Sequence, residues 1–352
     1  MRRDETRATR RSPLQKAQRM GGRAIVNCLR STTLVLLLSL SSFCQAAETP
    51  AKTIFAYGAI NAYMTSTWVA RDLGLFRKHN VEVEPVFIIA GRAAPAMLAG
   101  EVQVGLIGPT HVTNAVAAGG DMVMFMGNQN NVRYILVVHP SIKRPEDLKG
   151  KRIAIGASQA GLASLATHAA LDHMGLNAKR DNVTLLLIGE EPLRLAALQT
   201  GNVQGTLIAP ELAGVAASQG FPILLDMAKL NIPFQASGMV TTRRIMKADP
   251  IMLERVGRAT VESIQYIRNP ANKKTVLGIM TKNLKLSKPD KIELSYNDLV
   301  EELPRSICPT VPGVRSVMKF MADLGLNAKA AQMKTDEVVD LTLCKRLGGD
   351  GN

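Results

Sequence analysis

Aromatic residues are scarce in this 352-residue chain: eight Phe, five Tyr and one Trp, or 4% of the total. No run of Lys or Arg is interleaved with them, so the chain lacks the stacking platforms and basic grooves that hold nucleic acid. Cysteine is scarcer still. There are four, and two of them, Cys28 and Cys44, fall within the first 46 residues, which leaves Cys308 and Cys344. The five histidines include no His-x-x-x-His pair, and His168 and His173, five apart, would splay on a helix, so no metal site is expected. Long apolar runs are absent as well. The stretch "LVLLLSLSSF" (34–43) covers roughly 15 Å as a helix, half of a bilayer core.

What is present is aliphatic. Hydrophobic residues make up 46% of the chain, enough for a large core and too many for a disordered one. The net charge of +14 is concentrated at the front, where residues 1–46 hold nine Lys or Arg against two acids. The remainder has 34 against 27, or +7, which a solvated surface accommodates.

Residues 1–46 read as an export signal: eight arginines and Lys16, then the ten-residue apolar run, then small residues before a cleavage point after Ala46 or Ala47. The basic region is unusually long, and Met20 is an alternative start. Pro13 and the distance to the apolar run argue against twin-arginine export, and bulky Phe43 argues against lipid attachment at Cys44. In an oxidising compartment Cys308 and Cys344 either form one bridge or stay buried as free thiols.

Beyond the signal, strand-like and helix-like runs alternate, which implies parallel sheets with crossover helices. "MLAGEVQVGLIGPT" (97–110) returns as "LQTGNVQGTLIAPE" (198–211), and the order of elements around the two copies also matches. Two α/β lobes are therefore expected, lobe 1 at 47–136 and lobe 2 at 137–235. The helix-rich remainder, 236–352, holds no third copy and is expected to return over lobe 1. Two crossings between lobes make a hinge.

In parallel sheets, ligands bind beyond the carboxyl ends of the strands, where helix N-termini point free N–H groups outward. That rule selects Asn61, Tyr63, Arg92, Thr110 and His111 from the first lobe, and Ser158, Gln159, Gly161, Glu190 and Glu211 from the second. Plainer roles exist for several of them. Ser158 and Thr110 suit helix N-caps, Asn61 tolerates a left-handed turn, and Arg92 suits a solvated loop. The glutamates would stabilise helix N-termini in any case. Trp68 falls on an apolar helix face and is expected in the core. "GASQAG" has Ala160 where a nucleophile elbow needs its second glycine, and no Lys follows Gly161 as a phosphate-binding loop requires. No catalytic residue is nominated.

The ordered series "YMTSTWVARDLGLFRKHNVEVEPVF", "AAPAMLAGEVQVGL" and "RPEDLKGKRIAIGASQAG" resembles the periplasmic substrate-binding proteins of ABC importers. The resemblance, over about 52–270, is to the nitrate/sulfonate/taurine and thiamine-pyrimidine-precursor binding branch. It implies a two-lobed periplasmic-binding-protein fold, type II-like, with two hinge crossings and the ligand cleft between the lobes. It further implies a periplasmic monomer without cofactor or enzymatic activity. Such a protein captures a small organic solute and delivers it to an ABC permease in the inner membrane. Arg92 and the helix N-termini favour a sulfonate, carboxylate or related anion, while Glu190 and Glu211 would suit a ligand with an amine or ring N–H. An exported α/β enzyme, or a ligand-sensing domain for a signalling receptor, is the alternative. Members that make the thiamine pyrimidine use a cysteine-rich iron-binding motif, which has no match here. The chain also departs from typical members at Gln103 and Gln204, where an acid is usual.

Overall fold

The repeated segments fold alike, and the shared letters explain why. The computed structural model describes residues 51–350 other than 59, 160, 231 and 285–288. The expected export signal lies outside these described residues, and residues 50–352 form one compact unit. From residue 51 the chain runs β1 (Ala51–Tyr57), α1 (Thr65–Asp72), α2 (Leu75–Lys78), β2 (Val81–Phe87), α3 (Ala90–Ala99), β3 (Val104–Ile107), α4 (Pro109–Ala117) and β4 (Met122–Gln129). After β5 (Ile135–Val138) the order restarts with β6 (Arg152–Ile155), α5 (Leu162–His173), β7 (Thr184–Leu187), α6 (Glu191–Gln199), β8 (Gly205–Ile208), α7 (Pro210–Ser218) and β9 (Ile223–Asp226). β10 (Ser237–Thr242) then leads into α8 (Arg243–Ala248), α9 (Pro250–Arg268), α10 (Lys273–Leu284), α11 (Pro289–Glu302), α12 (Val311–Asp323), α13 (Thr335–Val338) and α14 (Thr342–Arg346).

Two five-stranded sheets result, ordered β2-β1-β3-β10-β4 and β7-β6-β8-β5-β9. In each, the first three strands are parallel and the fourth in order runs antiparallel to its neighbours. That antiparallel strand is the one that arrives by a crossing. β5 enters the second sheet from β4, and β10 enters the first from β9. Both crossings therefore join the sheets on the same side of each, at β4 and β10 in one and β5 and β9 in the other.

In the repeat, Gly100 ends α3 at φ 86° and Gly201 follows α6 at φ 72°, a left-handed conformation that glycine reaches without steric cost. Gln103 and Gln204 then make matching bonds. Gln103 accepts from the Ile54 N–H (2.8 Å) and donates to the Gly100 carbonyl (3.0 Å). Gln204 accepts from the Arg152 N–H (3.3 Å) and donates to the Gly201 carbonyl (3.0 Å). A carboxylate could accept but not donate, so the amide ties both the preceding turn and the neighbouring strand.

With few rings available, aliphatic and thioether side chains fill the interior. Every residue of β4, "MVMFMGNQ", is buried. Met97 lies over Gly105, where a Cβ would come within 2.6 Å of its sulfur. Trp68, Phe55 and Phe125 pack with Leu253 and Val256 of α9, which lies on α1. α12 touches both α4 and α5, so the C-terminal helices reach the second lobe as well as the first. Cys308 and Cys344 form a disulfide, Cα–Cα 5.1 Å, which joins the segment after α11 to α14.

Candidate functional site

The carboxyl ends of β1 and β3, the N-terminus of α5 and the return crossing enclose a cavity of about 220 Å³. No Lys, Arg, Asp or Glu lines it among the described residues. Its apolar wall includes Met64, Leu106, Leu165, Phe234 and Val317. Two helices open into it, α4 at Gly108–Pro109 and α5 at Gly161–Leu162. The N-cap of each is a glycine, and neither helix has a side-chain cap. The His111 and Ser164 N–H groups bond back to the Gly108 and Gly161 carbonyls (3.2 and 3.1 Å), which leaves the N–H groups of Thr110, Leu162 and Ala163 without an acceptor within their helices. The positive ends of two helix dipoles meet in one low-polarity space.

Four of the ten sequence-selected residues line this cavity: Asn61, Thr110, His111 and Gly161. Thr110 is 6% exposed in the first turn of α4. Burial pushes the His111 imidazole below its usual pKa, so at neutral pH it is an uncharged donor and acceptor. Asn61 caps a short turn by accepting from the Tyr63 N–H (3.1 Å).

The other six lie elsewhere. Ser158 and Gln159 are on the exposed loop before α5, Arg92 is exposed on α3, and Glu190 is exposed at the start of α6. Tyr63 does not line the cavity, and its hydroxyl donates to Glu302. Burial and the nearby Glu302 carboxylate raise its pKa. Arg133, on the crossing into β5, contacts Glu302 through Nε, with Glu301 at 3.7 Å and Asp298 at 4.0 Å from Nη1. Burial raises Glu302 to about 7, assisted by Asp298 and Glu301 and opposed by Tyr63 and Arg133. Glu211, from α7, joins this group. Burial raises its pKa, and Glu191 and Asp298 add to the effect. Glu211 thus does not line the cavity and lies within electrostatic reach of Glu191, Asp298 and Arg133.

A family comparison bears on this arrangement: residues 61–273, more than half of the chain, match the NMT1/THI5-like family. The chain belongs to the NMT1/THI5-like family. A taurine-binding periplasmic protein of Escherichia coli K12 is 33% identical over 116 residues, 32% of this chain and 34% of that protein, so the match spans about a third of that relative's length. Among solved structures, the periplasmic aliphatic sulphonate binding protein SsuA from Escherichia coli superposes with TM-score 0.64 at 22% identity, over 82% of this chain and 96% of that one. The periplasmic nitrate-binding protein NrtA from Synechocystis PCC 6803 gives TM-score 0.68 at 12% identity, over 85% and 88%. The fold is therefore the two-lobed periplasmic-binding-protein fold.

In this NMT1/THI5-like chain, sequence reading overlooked the return crossing. Phe234, Gln235, Ala236 and Ser237 all line the cavity. Gln235 is fully buried. It donates to the carbonyls of Gln129 (3.1 Å) and Ser237 (2.8 Å) and to Asn130 Oδ1 (2.9 Å), and it accepts from the Thr310 N–H (2.7 Å). All its hydrogen-bonding capacity goes to fixing the crossing. The signal was available: a glutamine between Phe and Ala in an extended run must find partners when buried. In lobe 2, Arg194 was overlooked too. It is 3% exposed and donates to the Gly189 and Leu207 carbonyls at 2.6 and 2.9 Å, tying the loop after β7 to β8.

Proposed function

We propose that the chain is the solute-binding component of an ABC uptake transporter, acting in the periplasm after removal of its export signal. It would capture a small organic anion with a short apolar body and deliver it to a membrane permease. The observation that carries this reading is the pair of uncapped helix N-termini opening into one cavity free of acidic side chains. An anionic head would sit between Gly108 and Gly161, taking hydrogen bonds from first-turn N–H groups and from Thr110, while neutral His111 and Asn61 adjust to its shape. The apolar body would lie against Met64, Leu165, Phe234 and Val317. At about 220 Å³ the cavity is smaller than drug-sized pockets of roughly 300–1,000 Å³, which favours ligands of taurine or short alkanesulfonate size.

The relatives' names support the same class, being taurine-, sulphonate- and nitrate-binding proteins. Ligand contacts from both lobes would shift the hinge toward closure, since only differential affinity for the closed state can do so. Among the described residues, no hydroxyl lining the cavity is hydrogen-bonded to a base, so binding without turnover is the reading, with the protein acting as a monomer. A thermal-shift screen of short sulfonates and carboxylates tests it. A ligand at about 100 times its Kd stabilises by about 2.7 kcal/mol. If no anion raises Tm while the protein hydrolyses esters or amides, the proposal fails.

A further inference from the structure

Eight large hydrophobic side chains are exposed among the described residues, and five of them gather at two places with the same address in the repeat. Phe87 ends β2 and forms the last pair of its ladder with Tyr57, while Leu187 ends β7 and forms the last pair of its ladder with Ile155. Both stand about half exposed, at 46% and 53%. On lobe 1 Ile89 follows Phe87 by two residues and Ile60 follows Tyr57 by three, and on lobe 2 Leu193 follows Leu187 by six; all are exposed. The backbone repeats as well. Ile88 and Ile188 donate to Tyr57 and Ile155, and Arg92 and Leu193 donate to the residues that cap α3 and α6.

β2 and β7 are the outer strands of their sheets, on the edge away from the crossings at β4, β10, β5 and β9. The carboxyl ends of β1 and β3 border the cavity, and Ala90, at the start of α3, lines it. Strand order thus puts each apolar patch on the edge of its sheet away from the crossings, and the lobe 1 patch lies beside the cavity through Ala90. Each patch also carries an exposed charge with no ion pair among the described residues: Arg92 on lobe 1 and Glu190 on lobe 2.

We propose that these patches are the lips of the cleft and form a latch: on closure Phe87 and Ile89 meet Leu187 and Leu193 across the mouth, and Arg92 pairs with Glu190. Burying exposed apolar surface supplies the drive, and the opposite charges set the register. The latch rests on the solute-binding reading only in requiring that the lobes close; it requires no particular ligand.

The test uses the mature chain with its native disulfide and two added substitutions, Arg92→Cys and Glu190→Cys. All the altered positions are exposed, and a thermal melt checks that the fold is kept. Mild oxidation is followed by peptide mass spectrometry. The latch predicts an intramolecular disulfide between the introduced thiols, formed at least tenfold more slowly once Phe87→Asp and Leu193→Asp are added. Absence of that bond while both thiols react fully with a maleimide would overturn the proposal. So would a bond whose rate ignores the aspartates, or one found only between two molecules. Because no ligand is involved, the bond can form in a protein that binds no anion. It will fail to form in an anion binder whose lips never meet.

Discussion

The two lobes share a scaffold and divide its uses. Gly100 and Gly201 make the same left-handed turn, and Gln103 and Gln204 tie the same strands. At the strand ends the lobes part. After β3, Thr110 and His111 line the cavity, whereas after β8 Glu211 does not and lies within electrostatic reach of Arg133. Lobe 2 contributes to the cavity through the N-terminus of α5 instead. A duplicated loop can thus line the cavity in one copy and lie outside it in the other, because the backbone turn fixes where a side chain begins and not what it meets.

The largest test of this comparison concerns the device that lobe 2 lacks. The Cys308–Cys344 bridge spans 36 positions, worth about 4 kcal/mol in the chain-entropy model. Cys308→Ser with Cys344→Ser should lower stability by about that much in denaturant melts. Hydrogen exchange should show β4 losing protection before β6 and β8 do.

Next comes the core beneath the repeat. Gly105→Ala must displace the buried Met97 sulfur at 2.6 Å, at a cost of about 1–3 kcal/mol. The corresponding Thr206 bonds the Ala154 carbonyl, so Thr206→Ala should cost nearer 1 kcal/mol.

The matched glutamines offer a symmetric check. Gln103→Leu and Gln204→Leu should each cost about 1–2 kcal/mol and add in the double variant, since they sit in separate lobes. Unequal costs would break the structural equivalence.

Smallest is a pH effect. Glu302 titrates near 7 in the fold, above its usual 4.5. Its contribution to stability is therefore fully present below pH 4.5 and is lost as pH rises through 7. Glu302→Gln should flatten the decline of Tm between pH 5 and 8. An unchanged profile would remove Glu302 as its source.

Much of the scaffold was legible because its signals are local. Glycine turns, alternating runs and the duplicated series all act within a few residues. Trp68 read correctly as core from helix periodicity alone. The cavity was half legible. Thr110 and Gly161 follow from the rule about strand ends, but Tyr63 meets Glu302 across 239 positions of chain, and Gln235 reaches Thr310 and Asn130 through a crossing whose path no periodicity encodes. Arg92 and Glu190 were selected because charge beside a helix start suits a ligand; both are exposed and neither lines the cavity.

The central claim, that two uncapped helix N-termini hold an anion, is tested most directly by calorimetric titration of a short alkyl sulfonate against its neutral sulfone, in the native chain and in Gly161→Asp. Aspartate at this N-cap supplies its own carboxylate to the first turn of α5, and the exposed loop beside it can absorb the 3.1 Å approach to the Ser158 carbonyl. The account predicts that the sulfonate binds, that the sulfone does not, and that Gly161→Asp weakens the sulfonate by at least about tenfold, ~1.4 kcal/mol, without lowering Tm. Equal binding of sulfone and sulfonate, or undiminished sulfonate affinity in Gly161→Asp, would contradict it.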